Sequence, residues 1–399
     1  MVTSYLLYLL HFSITFFINI HIANYYLSDI FGEYQFYNTL FVLFVSVSQM
    51  GTLQSFVVLA PKISNKIKLI FATLILRIIG YSLLTILLLI VFWLMRLPNI
   101  AYIFLLLLIP LTISLSSILD YYKKINIDVK YNFFFDGLLF ATLTILIIQS
   151  ELSIIYIVIA RFISKSISEL MKYKYIINNI GVFVFSKKYL IWMFIKSKVF
   201  IANRLIVELY ARSDILLLGF IANKNEVGIY AVSLAIYNGL LMGEGLLARK
   251  LFPQLTKVFK DDKKVKEILM ISILYKSIYF ITVILFTYFF LNNIIFTYLY
   301  NPEEYMRSSI VLDFMLIGLF SHIFANNTNY LLMLKDNYLY IKRFTIGFVL
   351  NIILGIIFYE IYNLEGYTVA IQIVKIVMVS YSVYISYQYL NNKIKVAIT

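Results

Sequence analysis

The residues of this chain with chemistry to do are charged side chains standing inside long apolar runs. Arg161 lies ten residues past Glu151, and Lys375 ten past Glu365. Arg77 follows Lys68 by nine residues, and Lys276 follows Lys266 by ten. At 1.5 Å per helical residue, ten residues cover roughly 15 Å, half the hydrocarbon thickness of a bilayer. Arg204, Glu208 and Arg212 recur at i, i+4 and i+8 and share a helix face, with Asp214 turned away from it. Glu244 sits between Gly243 and Gly245, small neighbours that let helices approach closely. A cation at mid-membrane costs roughly 2.5–3.5 kcal/mol to insert, so such groups face a bundle interior or a wet cavity. Arg77, Arg161, Arg204, Arg212, Lys276 and Lys375 are therefore candidate substrate-binding cations, with Arg212 the foremost. Glu208, Asp214 and Glu244 are candidate carboxylates for a coupling ion.

Plainer roles stand beside these. The Arg204–Glu208–Arg212 ladder lowers its own insertion cost, and Arg249 is within reach of Glu244. Lys165 and Glu169 continue the Arg161 face towards a membrane surface, where long side chains snorkel. Asp136 and Asp313 read as capping or interfacial residues. His11, His21 and His322 lack ligand spacing and read as packed or interfacial, so no metal site is expected.

The elements that must carry these charges are membrane helices. The 399 residues are 62% hydrophobic and 14% charged, against about 45–50% and 25% in soluble domains. Twelve spans are expected, near 5–27, 36–60, 69–95, 99–119, 131–149, 152–171, 196–222, 228–252, 268–291, 308–334, 344–362 and 366–390. The first lacks a basic n-region and a cleavage site, so it reads as a span and not a removed signal peptide. Odd-numbered loops hold only Arg96, Lys224 and Arg307, whereas even-numbered loops and the tail collect the remaining loop lysines and arginines. By the positive-inside rule both termini are cytoplasmic. The net charge of +14 thus reflects topology, and nucleic acid is not an expected partner. There is no cysteine, phosphate-binding loop, G-x-S-x-G elbow or H-E-x-x-H pair, which points to a carrier without a cofactor and not to an enzyme.

The two halves echo each other. Phe31-Gly32-Glu33-Tyr34 opens the second span and Val227-Gly228-Ile229-Tyr230 the eighth. Ala60-Pro61-Lys62 closes the second span and Phe252-Pro253-Gln254 the eighth. Six spans per half make the repeats parallel, an arrangement of transporters whose site lies near the midplane between repeats. The expected organisation is a six-helix lobe over 1–175, an amphipathic linker over 176–195 and a second six-helix lobe over 196–399.

The run Tyr210-Ala211-Arg212-Ser213-Asp214 through Gly219, followed by Glu226-Val227-Gly228-Ile229-Tyr230, resembles the second-half signature of Wzx-type polysaccharide (O-antigen) flippases. These belong to the multidrug, oligosaccharidyl-lipid and polysaccharide (MOP) exporter superfamily, which includes the MATE transporters. Pro253, Glu304-Tyr305, Asn351-Ile352-Ile353-Leu354 and Glu365-Gly366 are similar too. The resemblance implies alternating access by two six-helix lobes in the bacterial inner membrane. The cargo it implies is undecaprenyl-diphosphate-linked oligosaccharide, and a polysaccharide polymerase and a chain-length regulator are implied partners. The first span has no Arg or Lys, unlike the related peptidoglycan-precursor flippases, which favours an exported-polysaccharide unit over lipid II. A multidrug/cation antiporter of the same superfamily and a membrane-embedded polymerase are the competing functions.

Overall fold

The computed structural model describes residues 2–60, 63, 65–96, 98–181, 184–242, 244, 261–335 and 337–390. Every regular element among them is helical. A bilayer dictates this, because a helix satisfies its backbone groups within one segment. Seven of the described helical stretches are long and apolar enough to cross a membrane. Large apolar side chains such as Leu83, Leu87, Trp93 and Leu94 remain exposed along one of them, as lipid-facing residues should. The chain is a multi-pass membrane protein.

The chain divides into two compact units. Unit 1 comprises Met1–Tyr26 and Tyr34–Glu208; unit 2 comprises Leu27–Glu33 and Leu209–Thr399. Unit 1 contains most of α1 (Val2–Ser48), then α2 (Thr52–Leu59), α3 (Lys66–Met95), α4 (Asn99–Thr112), α5 (Ser116–Tyr121) and α6 (Ile125–Tyr131). A π-helical stretch, Asn132–Leu139, leads into α7 (Phe140–Gln149), followed by α8 (Ile154–Ile180) and the first part of α9 (Lys187–Ile221). Unit 2 holds the rest of α9, α10 (Lys224–Leu240), α11 (Asp262–Phe286), α12 (Pro302–Lys335) and α13 (Asn337–Leu390). Two π-helical turns, Thr287–Leu291 and Ile295–Leu299, extend α11.

Several expected boundaries shift. The turn expected at residues 29–33 is helical, and the break inside α1 falls earlier, at Leu27, with φ 61° and ψ 172°. The spans expected at 344–362 and 366–390 likewise form one element broken at Tyr362 and Asn363. The 176–195 stretch is no separate amphipathic helix: α8 runs on to Ile180, α9 begins at Lys187, and the unit boundary falls at 208/209. The repeat's closing prolines, Pro61 and Pro253, and the proposed Glu244 partner Arg249 lie outside the described residues.

Caps follow local chemistry. Asn65, Asn223 and Asp261 precede α3, α10 and α11, and their side-chain oxygens accept from the amides of Lys68, Glu226 and Lys264. The Lys264 amide holds the Asp261 carboxyl below the usual carboxylate range. Within unit 2 the two glycines of the repeat motif pack on each other. A Cβ on Gly32 would overlap the Lys224 carbonyl, and one on Gly228 the Ser28 carbonyl. Bonds from Ser28 Oγ to Glu304 (2.5 Å) and from Lys224 to Glu33 (2.7 Å) hold the approach closed.

Candidate functional site

In unit 1, Asp128, Asn132 and Asp136 recur every four residues along α6 and the π-helical stretch, facing Arg161, Lys165, Glu169 and Lys172 of α8. An acidic stripe therefore meets a mainly basic one. At one end, the fully buried Lys172 ammonium lies 2.8 Å from Asp128, Glu169 and Asn132 oxygens, which uses all three of its donors. Glu169 accepts from the Leu115 amide at 2.8 Å and from Ser114 Oγ at 3.3 Å. Arg77, also fully buried, donates to the Ser114 carbonyl, to Thr52 Oγ1 at 2.7 Å and to Ser117 Oγ at 3.2 Å.

The other end is less closed. Asp136, 4% exposed, accepts from Lys165 at 2.9 Å and pairs with Arg161 at 3.5 Å and His11 Nε2 at 3.9 Å. Arg161 also lies over the Phe140 ring, 4.7 Å from its centroid. The Arg161 and His11 side chains remain 29% and 20% accessible. Two basic side chains thus share one carboxylate, and this end of the cluster has an open side.

These placements revise several expectations. Asp136 is not a cap or an interfacial group: it is the buried hub of the cluster, sited in a π-helical stretch, an irregularity frequent at functional sites. Lys165, expected to snorkel, instead has its ammonium bonded to Asp136 at 2.9 Å. Glu169 is buried and bonded, and His11 packs against a carboxylate.

In unit 2, Glu244 is 3% exposed and bridges two helices. Its carboxylate meets Lys276 of α11 at 3.1 Å and His322 Nδ1 of α12 at 2.8 Å. His322 is therefore also carboxylate-bound, packed edge-on to Tyr237 with centroids 6.1 Å apart. Asp214 is buried and accepts from Tyr230 Oη at 3.2 Å, while Tyr367 donates to its carbonyl at 2.5 Å. Asp313 receives Asn292 Nδ2 at 2.7 Å, a bond between neighbouring helices and not a cap. Lys375 lies over the Tyr237 ring, 4.9 Å from its centroid. Beside it, Tyr237 Oη and both polar atoms of the Gln372 side chain are buried without a hydrogen-bond partner among the described residues. Both groups approach Gly318, where an added Cβ would overlap Gln372 and lie 3.2 Å from Tyr237 Oη. Buried unpaired polar groups cost about 1–3 kcal/mol each and call for an explanation such as a bound ion, water or substrate group.

The remaining expected residues fall at the unit boundary. Arg204 pairs with Glu208 at 2.6 Å in unit 1, and Arg212 is half-buried in unit 2. The structure thus clusters Arg161 with Asp136, Lys276 with Glu244, and Lys375 with Tyr237 and Gln372, while Arg77 joins a closed network. Sequence reasoning gave Asp136, Lys165, His11 and His322 plainer roles and did not single out Lys172, Tyr237 or Gln372. The signal for Asp136, Lys165 and Lys172 was present, since a basic stripe on one span demands acids at matching spacing on a neighbour. Among the described residues, no group of three His, Cys, Asp or Glu side chains is placed to hold a metal ion.

No protein-family model matches the sequence, and no curated protein matches it either. Solved structures do match the fold. The lipid II flippase MurJ in an inward closed conformation superposes with a TM-score of 0.77 at 18% identity, covering 96% of this chain and 87% of that one. An inward-facing multidrug resistance MATE transporter of the MOP superfamily gives 0.78 at 12% identity, covering 96% and 95%. A variant of the Vibrio cholerae MATE transporter VcmN gives 0.69 at 13% identity, covering all of both chains. The chain therefore has the fold of MOP-superfamily membrane transporters.

Proposed function

We propose that this protein is a flippase carrying undecaprenyl-diphosphate-linked oligosaccharide from the inner to the outer leaflet of the bacterial inner membrane by alternating access. The observation that carries the reading is the Asp136 cluster. Arg161 and Lys165 of α8 share one carboxylate, and the Arg161 side chain stays accessible beside it. A site for cationic drugs would hold the reverse excess, whereas charge-assisted bonds from Arg and Lys suit a diphosphate. The MOP-type fold, shared with a structure described as a lipid II flippase, supports the same reading.

In this scheme Arg161 is the cation foremost for the diphosphate, and Arg77, Arg204, Arg212, Lys276 and Lys375 are further candidate contacts, each within its own unit. Glu208, Asp214 and Glu244 are the carboxylates open to a coupling ion, with Glu244 foremost because it is joined to a histidine. The lysine-rich helix ends and both termini face the cytoplasm, and a polymerase and chain-length regulator act on the exported units. The test is translocation of lipid-linked oligosaccharide by the purified protein in liposomes. Arg161→Ala, Arg212→Ala and Lys375→Ala together are expected to abolish it, and a deletion strain to accumulate the glycolipid on its inner leaflet. Undiminished translocation by the triple variant, or polymerisation of the sugars by the purified protein, would overturn the proposal.

A further inference from the structure

Unit 1 contains a second basic site, lined by residues that take no part in the ion pairs of the stripe between α6 and α8. A cavity of about 760 Å³ opens at the lysine-rich ends of its helices. Lys66, at the start of α3, and Lys124, in the turn after α5, both line it, and among the described residues no carboxylate does. Lys66 Nζ lies 5.5 Å from the Tyr121 ring centroid, and neither lysine has an ion pair among the described residues. Two like charges facing one unpaired space repel each other, and an anion between them removes that cost.

The rest of the wall suits the same ligand. Tyr122 and Tyr175 bring phenol groups. Burial pushes the Tyr122 phenol above its usual value, so it stays protonated and able to donate. Asn179, at the end of α8, has its amide nitrogen committed to the Tyr175 carbonyl at 2.8 Å. Ile67 and Ile180 give the cavity apolar flanks. The volume falls in the roughly 300–1,000 Å³ range of small-molecule sites, so it holds a phosphate together with the group that bears it.

We infer that this cavity is a binding site for a phosphate-bearing anion, gripped between Lys66 and Lys124 with the tyrosines as hydrogen-bond donors. An anionic phospholipid headgroup and a soluble phosphate share this chemistry. The inference rests on unit 1 alone and stands whether or not the chain is a flippase.

The test is titration of the purified full-length chain in neutral detergent with three probes: dihexanoyl phosphatidylglycerol, inorganic pyrophosphate and, as a zwitterionic control, dihexanoyl phosphatidylcholine. Lys66→Gln with Lys124→Gln is expected to weaken binding of the anionic probe by about tenfold or more, as loss of charge-assisted bonds predicts. Lys66→Arg with Lys124→Arg should restore it, and Lys174→Gln, at an exposed lysine outside the cavity, should leave it unchanged. Should the double variant fold poorly, Lys124→Gln alone, at an exposed position, gives the same reading. Loss confined to phosphatidylglycerol identifies a lipid headgroup, loss confined to pyrophosphate a soluble phosphate, and loss of both a site open to either. Failure of both anionic probes to bind, or binding indifferent to the glutamine substitutions, overturns the inference.

Discussion

Replacing Asp136 with asparagine removes the single carboxylate shared by Lys165 and Arg161 and keeps the side chain's shape. Lys165 is 13% accessible and loses its 2.9 Å partner. Breaking a buried pair from one side costs about 3–5 kcal/mol, because the other charge stays behind unpaired. Arg161 is 29% accessible, and its 3.5 Å contact adds little once solvent screening is counted. The expected loss is therefore near the low end, about 3 kcal/mol. At roughly 2–4 °C per kcal/mol for a unit of 150–250 residues, the midpoint of thermal unfolding falls by about 6–12 °C. Size-exclusion chromatography of detergent-solubilised protein after a temperature series measures this directly. A companion variant separates the pair from the packing: Asp136→Leu with Lys165→Met replaces both charges by apolar groups and should regain most of the lost stability. An Asp136→Asn midpoint within a degree or so of the parent would refute the view that this carboxylate holds the cluster together. So would a double variant no more stable than Asp136→Asn.

Further outcomes follow from other contacts. Lys172→Met strands Asp128 and Glu169 in a buried network and should cost about 3–5 kcal/mol, whereas Lys174→Gln two residues on stays within about 0.5 kcal/mol; denaturation midpoints compare the two. Gly228→Ala drives a methyl group into the Ser28 carbonyl and should cost about 1–3 kcal/mol by the same measurement, with Gly32→Ala behaving alike. Glu244→Gln removes the partner of both Lys276 and His322; under the flippase reading, translocation in liposomes should then no longer respond to an imposed ion gradient. Gln372→Leu and Tyr237→Phe remove polar atoms that lack partners among the described residues. They should therefore leave thermal stability unchanged or raised while lowering translocation, and a clear fall in stability would show that these atoms are bonded within the fold.

Much of the architecture was legible in the sequence because a bilayer imposes a coarse rule. Long apolar runs must be helices, so the class of fold followed from composition, and counting residues to polar markers singled out Arg161, Lys276 and Lys375 as cations inside such runs. The Gly32 and Gly228 motifs were readable as similar runs in the sequence. That they press against each other was not, since contact depends on how the Leu27 break turns α1. The site was half legible in the same way. Spacing showed that Arg204 and Glu208 share a face, and the structure pairs them at 2.6 Å.

Spacing along one helix also put Arg161, Lys165 and Glu169 on a common face, but it names no neighbour. Whether Lys165 reaches the headgroups or Asp136 is decided by which helix packs beside α8, a distance between residues 29 positions apart in the chain. The same holds for His322, which lies 78 positions from Glu244 yet 2.8 Å away in space. Sequence alone therefore determined that charged side chains stand within long apolar runs and which of them share a helix face. Only the tertiary structure decided which charges cancel and which stay open, because electrostatic energy depends on separation in three dimensions and on burial, and neither is a local property of the chain.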